Sequence, residues 1–348
     1  MTDQVSRVIM AEVDRIELDP APDSVAVVDD QDGSLLLAAA ERWPGAELRL
    51  HGDALDEEVA SLAAAERAGF EVAAVDDLGR AADGARLCLA RLPKSLDALD
   101  LLAGAVARTA DPGVILIAGG RTKHLTRSMN GILERHFAEV RGSLGLGKAR
   151  ALVGTGARSG SEPSPRRADV DDLEVIAYGG VFAGAAGDAG TRLLLAQAHR
   201  FPASRTAIDL GCGTGLLAVT LARLDPATEV VAIDNSRVAV RSTLATAEAN
   251  GVADRIQVRR GDGLSEVAAE SVDLIVCNPP FHRGTAKDSS TALTMINDAG
   301  RALRPGGELW LVYNTHLPYR STLRTAIGPT EQIAQDRDYL VTRSTKRS

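Results

Sequence analysis

Short apolar runs alternate with stretches of helical spacing along the whole chain, and this alternation narrows the possible folds more than any other feature. SVAVVDD (24–30), AELRLHG (46–52), ARLCLA (85–90) and GVILIAG (113–119) have the length and branched composition of strands. Between them, LLLAAAERW, EEVASLAAAERAGF and LDALDLLAGAVART space their apolar residues as amphipathic helices do. The rhythm returns with TAIDLG (206–211), EVVAID (229–234), RIQVRRGD (255–262), VDLIVCN (272–278) and GELWLVYN (307–314). Here the intervening helices are GLLAVTLARL, RVAVRSTLATAEANG and TALTMINDAGRALR, the last stopped by Pro305, Gly306 and Gly307. Strands joined through helices run parallel, so the pattern predicts an α/β fold with two tandem doubly wound sheets. GARSGSEPSPRRADVDD (156–172) reads as a linker between a domain at 1–155 and another at 173–348.

The two halves look like products of one duplication. RLPKSLDALD (91–100) stands in the first where NPPFHRGTA (278–286) stands in the second. The alternative is a shared α/β rhythm without common ancestry. The first half lacks a glycine loop, because QDGSLLL follows its first strand, and this predicts a degenerate site there.

Composition removes several classes. Among 348 residues, 45% are hydrophobic and 25% charged, enough to bury a sizeable core. No apolar run approaches the ~20 residues that span a bilayer. The acidic start, MTDQVSRVIMAEVDRIELD, lacks the apolar core of a signal peptide, and Cys88, Cys212 and Cys277 have no metal or disulfide spacing. The expectation is a cytoplasmic protein with no metal and no membrane segment. Net charge is −8, but unevenly placed. Residues 1–118 hold 10 basic and 23 acidic side chains, whereas 119–170 hold 10 and 4. Arg121, Lys123 and Arg127 lie in that basic stretch, which reads either as a solvated face or as a surface for RNA phosphates.

The strongest local signal is AIDLGCGTGLLA, an apolar strand ending at Asp209 and followed by Gly211, Gly213 and Gly215. Glycines there let the backbone turn sharply and approach a ligand. The dinucleotide pattern G-x-G-x-x-G would need its third glycine at Leu216, so that fingerprint fails. Asp234 closes the next strand, where a carboxylate can accept both hydroxyls of a ribose or simply face solvent. Asp262 and Gly263 close the third strand, as a ligand contact or as an ordinary Asp-Gly turn. Asn278, Pro279, Pro280 and Phe281 follow a strand at the edge where α/β sites lie. The prolines remove two N–H donors, leaving the Asn278 side-chain carbonyl and the Pro279 backbone carbonyl as acceptors. Acceptors beside a flat apolar ring suit a planar NH₂ group, and a rigid turn with a core Phe is the other reading.

These residues together resemble a known family. DLGCGTG is similar to motif I of class I S-adenosylmethionine methyltransferases. With NPPFH, the upstream GVFAGAAGDAGTRLLL and the downstream NTHLPY, it resembles the two-domain ribosomal RNA guanine-N2-methyltransferases of the RsmC/RlmG type. The resemblance covers most of 173–348, with RTKHLTRSMNGILERHFAEV and GKARAL matching more weakly in the first half. It implies S-adenosyl-L-methionine as cofactor, ribosomal RNA or a ribosomal subunit as partner, and a catalytically dead first domain that aids RNA binding. It implies cofactor roles for Asp209, Gly211, Gly213, Gly215, Asp234, Asp262 and Gly263, with Phe182, Asp188, Gly190 and Thr191 lining the cleft. It also implies catalytic roles for Asn278, Pro279 and Phe281. Pro280, His282, Arg283, Arg121, Lys123 and Arg127 are candidate substrate contacts, and Lys287 either meets phosphate or faces solvent. A glutamine-amide or adenine-N6 methyltransferase uses the same planar amine geometry, and a non-catalytic RNA-binding assembly factor is the reading outside enzymes. Two fused pseudo-equivalent domains suggest a monomer.

Overall fold

The computed structural model describes residues 3–16, 18–279 and 286–348, the side chains of 286–289 excepted. The chain divides into two compact units, Met1–Ser164 and Pro165–Ser348.

The first unit carries β1 (Ser24–Val28), β2 (Glu47–His51), β3 (Ala73–Ala74), β4 (Leu87–Arg91), β5 (Ile115–Arg121), β6 (Phe137–Gly142) and β7 (Ala149–Ala157). They form one sheet in the order β3-β2-β1-β4-β5-β7-β6. The first five are parallel, and the β6–β7 pair adds antiparallel to β5. Helices cover both faces of a parallel sheet, which explains why SVAVV and LCLAR are almost continuously buried. Two buried clusters, one per face, hold Val25, Val27 and Leu89 on one side and Ala26, Val28 and Cys88 on the other.

The second unit opens with a hairpin, β8 (Arg166–Val170) and β9 (Leu173–Ala177). Its sheet contains β10 (Thr206–Leu210), β11 (Glu229–Asp234), β12 (Ile256–Arg260), β13 (Val272–Cys277), β14 (Leu303–Asn314), β15 (Thr330–Gln335) and β16 (Tyr339–Thr345). The order β12-β11-β10-β13-β14-β16-β15 repeats that of the first unit position for position. Strand order reverses direction between β1 and β4 and between β10 and β13, and α/β sites form in the crevice outside the carboxyl ends at such points.

Two expectations need correction. Part of the segment 156–172 is paired backbone, since β7 runs to Ala157 and β8 begins at Arg166. Alternation in that hairpin is masked by exposed polar side chains on one face. The helix Ala286–Ala302 also ends before Pro305, and residues 303–314 are strand throughout. Pro305, Gly306 and Gly307 instead shape a bulge against β13, where the register shifts between Val272 and Leu274. A Cβ at Gly307 would lie 3.0 Å from three backbone oxygens, so any side chain there would force the backbone to shift.

The degeneracy of the first unit has a concrete form. In the second unit Asp209 Oδ2 accepts the Ala218 N–H at 2.9 Å, three positions after Gly215, which caps its helix at φ 81°. In the first, Asp30 Oδ2 accepts the Leu36 N–H at 2.9 Å, three positions after Gly33, at φ 82°. Gly215 lies six positions beyond Asp209, but Gly33 only three beyond Asp30, so the loop between is shorter. Register pairs Val28 with Ala90 and Leu210 with Cys277, placing Arg91 at the level of Asn278. The Arg91 guanidinium bonds to Asp3, which caps the first helix, and lies 3.9 Å from both Asp30 and Asp32. The Arg91 cation, bonded to Asp3 and near the carboxyls of Asp30 and Asp32, therefore stands at the switch point of the first sheet.

Candidate active site

Three pieces of the second unit meet at the carboxyl edge of its sheet. The first is the loop after β10. Gly211, Gly213 and Gly215 all have positive φ, at 79°, 55° and 81°, values that an L side chain resists. The Gly211 and Cys212 amides both donate to the Ile233 carbonyl, at 2.8 and 3.1 Å, tying the loop to β11. Thr243, on the next helix, donates to the Gly213 carbonyl at 3.1 Å, and a Cβ at Gly215 would stand 2.9 Å from its Cγ2. Thr243 escaped the sequence reading because it sits inside an amphipathic helix with no motif around it.

Asp209 lies under this loop, fully buried. Burial and the neighbouring Asp234 charge push its carboxyl up to about 7, against the hydrogen bond from Ala218. Its Oδ1 has no hydrogen-bond partner among the described residues. Asp209 thus acts on the loop from below, bracing the start of the helix. Asp234 lies at the end of β11, half-buried, and accepts from the Gly213 amide and the Ser236 amide, both at 2.9 Å. Asp262 is exposed just past β12, and a Cβ at Gly263 would approach Asp298 Oδ2 to 2.9 Å.

The second piece is the segment after β13. A Cβ at Gly211 would stand 3.8 Å from the Asn278 carbonyl oxygen, so the glycine loop and Asn278 are neighbours. Pro279 is buried beside it. Pro280, Phe281, His282 and Arg283 lie outside the described residues, as does the side chain of Lys287.

The third piece is the helix Ala189–Leu195, capped by Asp188, whose Oδ1 accepts the Thr191 N–H at 2.7 Å. The other oxygen, Oδ2, accepts from Asn278 Nδ2 at 2.7 Å, and Thr191 Oγ1 accepts from the same nitrogen at 2.8 Å. A carboxylate can only accept, so the amide nitrogen must face Asp188. Both amide hydrogens are then used, and Asn278 Oδ1 is the end left to receive a donor. Sequence reading placed Asp188 and Thr191 along the cofactor cleft; the structure gives them the further task of orienting Asn278. Gly190 serves packing, since a Cβ there would come within 3.0 Å of the Tyr339 ring.

Phe182, 57% exposed, borders a cleft of about 380 Å³ together with Asp188, Asn314 and Tyr339. Neither of the last two was assigned a site role from sequence: Asn314 opens NTHLPY, read there only as part of the family resemblance, and Tyr339 begins β16 with no motif around it. Among the described residues no cluster of three or more metal-ligating side chains occurs, and no helix is long and apolar enough to cross a membrane. Burial raises the Cys212 and Cys277 thiols well above their ordinary range, which suits packing and not nucleophilic work. In the first unit, Arg121, Lys123 and Arg127 are exposed around the carboxyl end of β5. Partial desolvation and the charges of Lys123, Lys94 and Arg121 hold the nearby His124 below its ordinary pKa, a sign of a positive local field.

The residues present fit an adenosyl cofactor. No described residue lies within 4 Å of where a Cβ at Gly213 would point, which leaves room above the loop, with the Asp234 carboxylate at its side. A glycine loop, an acidic residue ending the second strand and an oriented amide at the fourth define a class I S-adenosylmethionine-dependent methyltransferase. Comparison with known proteins agrees. The Methyltransferase small domain family matches residues 172–343, and the RLMG N-terminal domain family matches 7–158. A Streptomyces coelicolor protein named ribosomal RNA large subunit methyltransferase G is 35% identical, over 94% of this chain and 89% of the relative. The protein of that name in Ectopseudomonas mendocina is 35% identical over 74% and 70%. A solved structure of a T. thermophilus 16S rRNA N2 methyltransferase (RsmC), in complex with AdoMet and guanosine, superimposes with TM-score 0.79. It covers 99% of this chain and 92% of the other at 23% identity, a likeness of fold. The chain belongs to the ribosomal RNA large subunit methyltransferase G family.

Proposed function

We propose that this chain transfers a methyl group from S-adenosyl-L-methionine to the exocyclic N2 of a guanine in ribosomal RNA of the large subunit. The observation that carries the reading is the Asn278 amide, held through its nitrogen by Asp188 and Thr191 so that its oxygen is left to accept. The names of the relatives support the RNA and the subunit, and the guanosine in the solved neighbour supports the base.

The bound cofactor supplies an electrophilic methyl on a sulfonium, which is already a good leaving group. Gly211, Gly213 and Gly215 would let the loop approach it without side chains, and the Asp234 carboxylate would hold ribose hydroxyls. Asp209 keeps the loop in shape, and Asp262 with Gly263 would border the adenine. The lone pair of a guanine amine is delocalised into the ring and attacks poorly. Accepting its two hydrogens on Asn278 Oδ1 and the Pro279 carbonyl aims the nitrogen and favours its pyramidal form. Asn278 holds one amine proton through transfer, and water takes it afterwards. Phe281, known here only from the sequence, would stack on the base, and Pro280, His282 and Arg283 would flank it.

Arg121, Lys123 and Arg127 on the first unit would meet RNA phosphates. That unit binds no cofactor of its own, because Arg91 and its carboxylates occupy the corresponding point. The protein works as a monomer in the cytoplasm. The test is mass spectrometry of ribosomal RNA nucleosides from a strain lacking it. The large-subunit RNA should lose one N2-methylguanosine, and an unchanged nucleoside profile would overturn the reading.

A further inference from the structure

The cleft beside Asn278 is lined by Phe182, Asp188, Asn314, His316, Asp338 and Tyr339 and measures about 380 Å³, within the size range of small-molecule sites. One carboxylate, Asp188, both lines this cleft and holds the Asn278 amide nitrogen, so the two are contiguous. Asn314 is the last residue of β14, the parallel neighbour of β13. Val276 and Val312 belong to one core cluster, Cys277 and Leu311 to the other. Counting on by two from Val276 and Val312 puts Asn278 and Asn314 on the same face of the sheet.

Asn314 Oδ1 is buried and has no hydrogen-bond partner among the described residues. A buried acceptor left unpaired is costly, and one beside a substrate site is a ready receiver for a substrate donor. The rest of the polar lining includes two carboxylates, so the cleft is rich in acceptors. Phe182 brings a largely exposed aromatic surface to the same space.

We propose that this cleft receives the Watson–Crick edge of the target base, with Asn314 Oδ1 accepting the ring N1–H and Phe182 stacking on the ring, so that residue 314 selects guanine. The inference rests on the methyl-transfer reading above and adds how the base is chosen. Guanine carries N1–H directly beside its N2 amine. With the amine on Asn278 and Pro279, the next donor along the edge is that N1–H. Adenine offers an amine beside an N1 lone pair, which would face another lone pair at Asn314. A glutamine amide has no further donor and leaves Asn314 unpaired. A site built around a substrate donor rejects analogues that lack it far more strongly than one built on shape.

The test is equilibrium binding of nucleosides to the full chain in the presence of S-adenosylhomocysteine. 2-Aminopurine riboside keeps the N2 amine but has no N1–H. Native protein should prefer guanosine over it by about 30-fold, the range set by one lost partner to a buried acceptor. Asn314→Ala should cut that preference to under about threefold, by weakening guanosine and sparing the analogue. Asn314→Asp, which keeps an acceptor, should retain it. Phe182→Ala should weaken both nucleosides by about tenfold alike, since stacking does not read the edge. An Asn314→Ala protein that binds S-adenosylhomocysteine normally and still prefers guanosine would overturn the proposal. So would native protein that makes N2-methylguanosine in RNA yet shows no preference between the two nucleosides, and that result would leave the methyl-transfer reading standing.

Discussion

Replacing Asp188 by serine separates the two tasks of its carboxylate. Oδ1 caps the helix Ala189–Leu195 through the Thr191 amide at 2.7 Å, and Oδ2 receives Asn278 Nδ2 at 2.7 Å. Serine is as good an N-cap as aspartate, so the first task survives and the melting temperature should stay within a few degrees. Its hydroxyl is too short to reach Asn278. The amide then loses a charge-assisted hydrogen bond worth ~1.5–3 kcal/mol, leaving only Thr191 Oγ1 at 2.8 Å to define which end faces the substrate. An Asn278 turned over presents N–H groups to an amine that has only hydrogens to offer. Turnover with ribosomal RNA should therefore fall by about 10- to 100-fold, while KM for the methyl donor moves less than about threefold. Asp188→Asn should be no milder. Its single oxygen goes to the cap, and its NH₂ then opposes the NH₂ of Asn278. The assay is steady-state transfer of labelled methyl, read as separate kcat and KM, with a thermal melt of each variant. Native kcat in Asp188→Ser would refute the orienting role of the carboxylate.

Other outcomes follow from the same geometry. Gly213→Ala places its Cβ where no described residue comes within 4 Å, so it should cost only ~1–2 kcal/mol of stability from the positive φ but abolish cofactor binding. Gly215→Ala meets Thr243 at 2.9 Å and should lower the melting temperature more than Gly213→Ala does. The Asp209 carboxyl is raised from 3.8 to about 7, so its favourable contribution is complete below about pH 4 and lost as pH rises through about 7. Native protein should therefore lose roughly 4 kcal/mol relative to Asp209→Asn between pH 4 and 8, and parallel stability curves would contradict this. Arg91→Met strips the cation from Asp3, Asp30 and Asp32, of which Asp30 is only 1% exposed. It should destabilise the first unit by about 3–5 kcal/mol in calorimetry while cofactor stoichiometry stays at about one per chain.

Much of this was legible in the chain itself. The parallel strands are buried on both faces, so VAVV, TAIDL and VDLIVC announce themselves as apolar runs. The glycine loop and Asn278-Pro279 are local motifs whose residue types follow from backbone conformation and acceptor chemistry. What escaped were strands and contacts with no local signature. The β6 and β15 strands are polar and largely exposed at sheet edges, so FAEVRG and TEQIAQ show no helpful alternation. Arg91 meets Asp3 across 88 residues, and Asn278 meets Asp188 across 90, so nothing in either neighbourhood hints at the partner. Pro305 and Gly306 read as a helix stop because that is their usual meaning, whereas here they bend a strand. Asn314 opens NTHLPY, read in the sequence only for its family resemblance, and its role stands out through an oxygen buried with no hydrogen-bond partner among the described residues.

The central claim is that the Asn278 oxygen grips the reacting amine. It is tested most directly by incubating native chain and Asn278→Ala with labelled S-adenosylmethionine and large-subunit ribosomal RNA lacking this modification, then identifying the labelled nucleoside. Native protein should place the label in N2-methylguanosine, whereas Asn278→Ala should bind the donor equally well and transfer at least ~100-fold more slowly. Label on any other atom, or an alanine variant as fast as the native chain, would contradict the account.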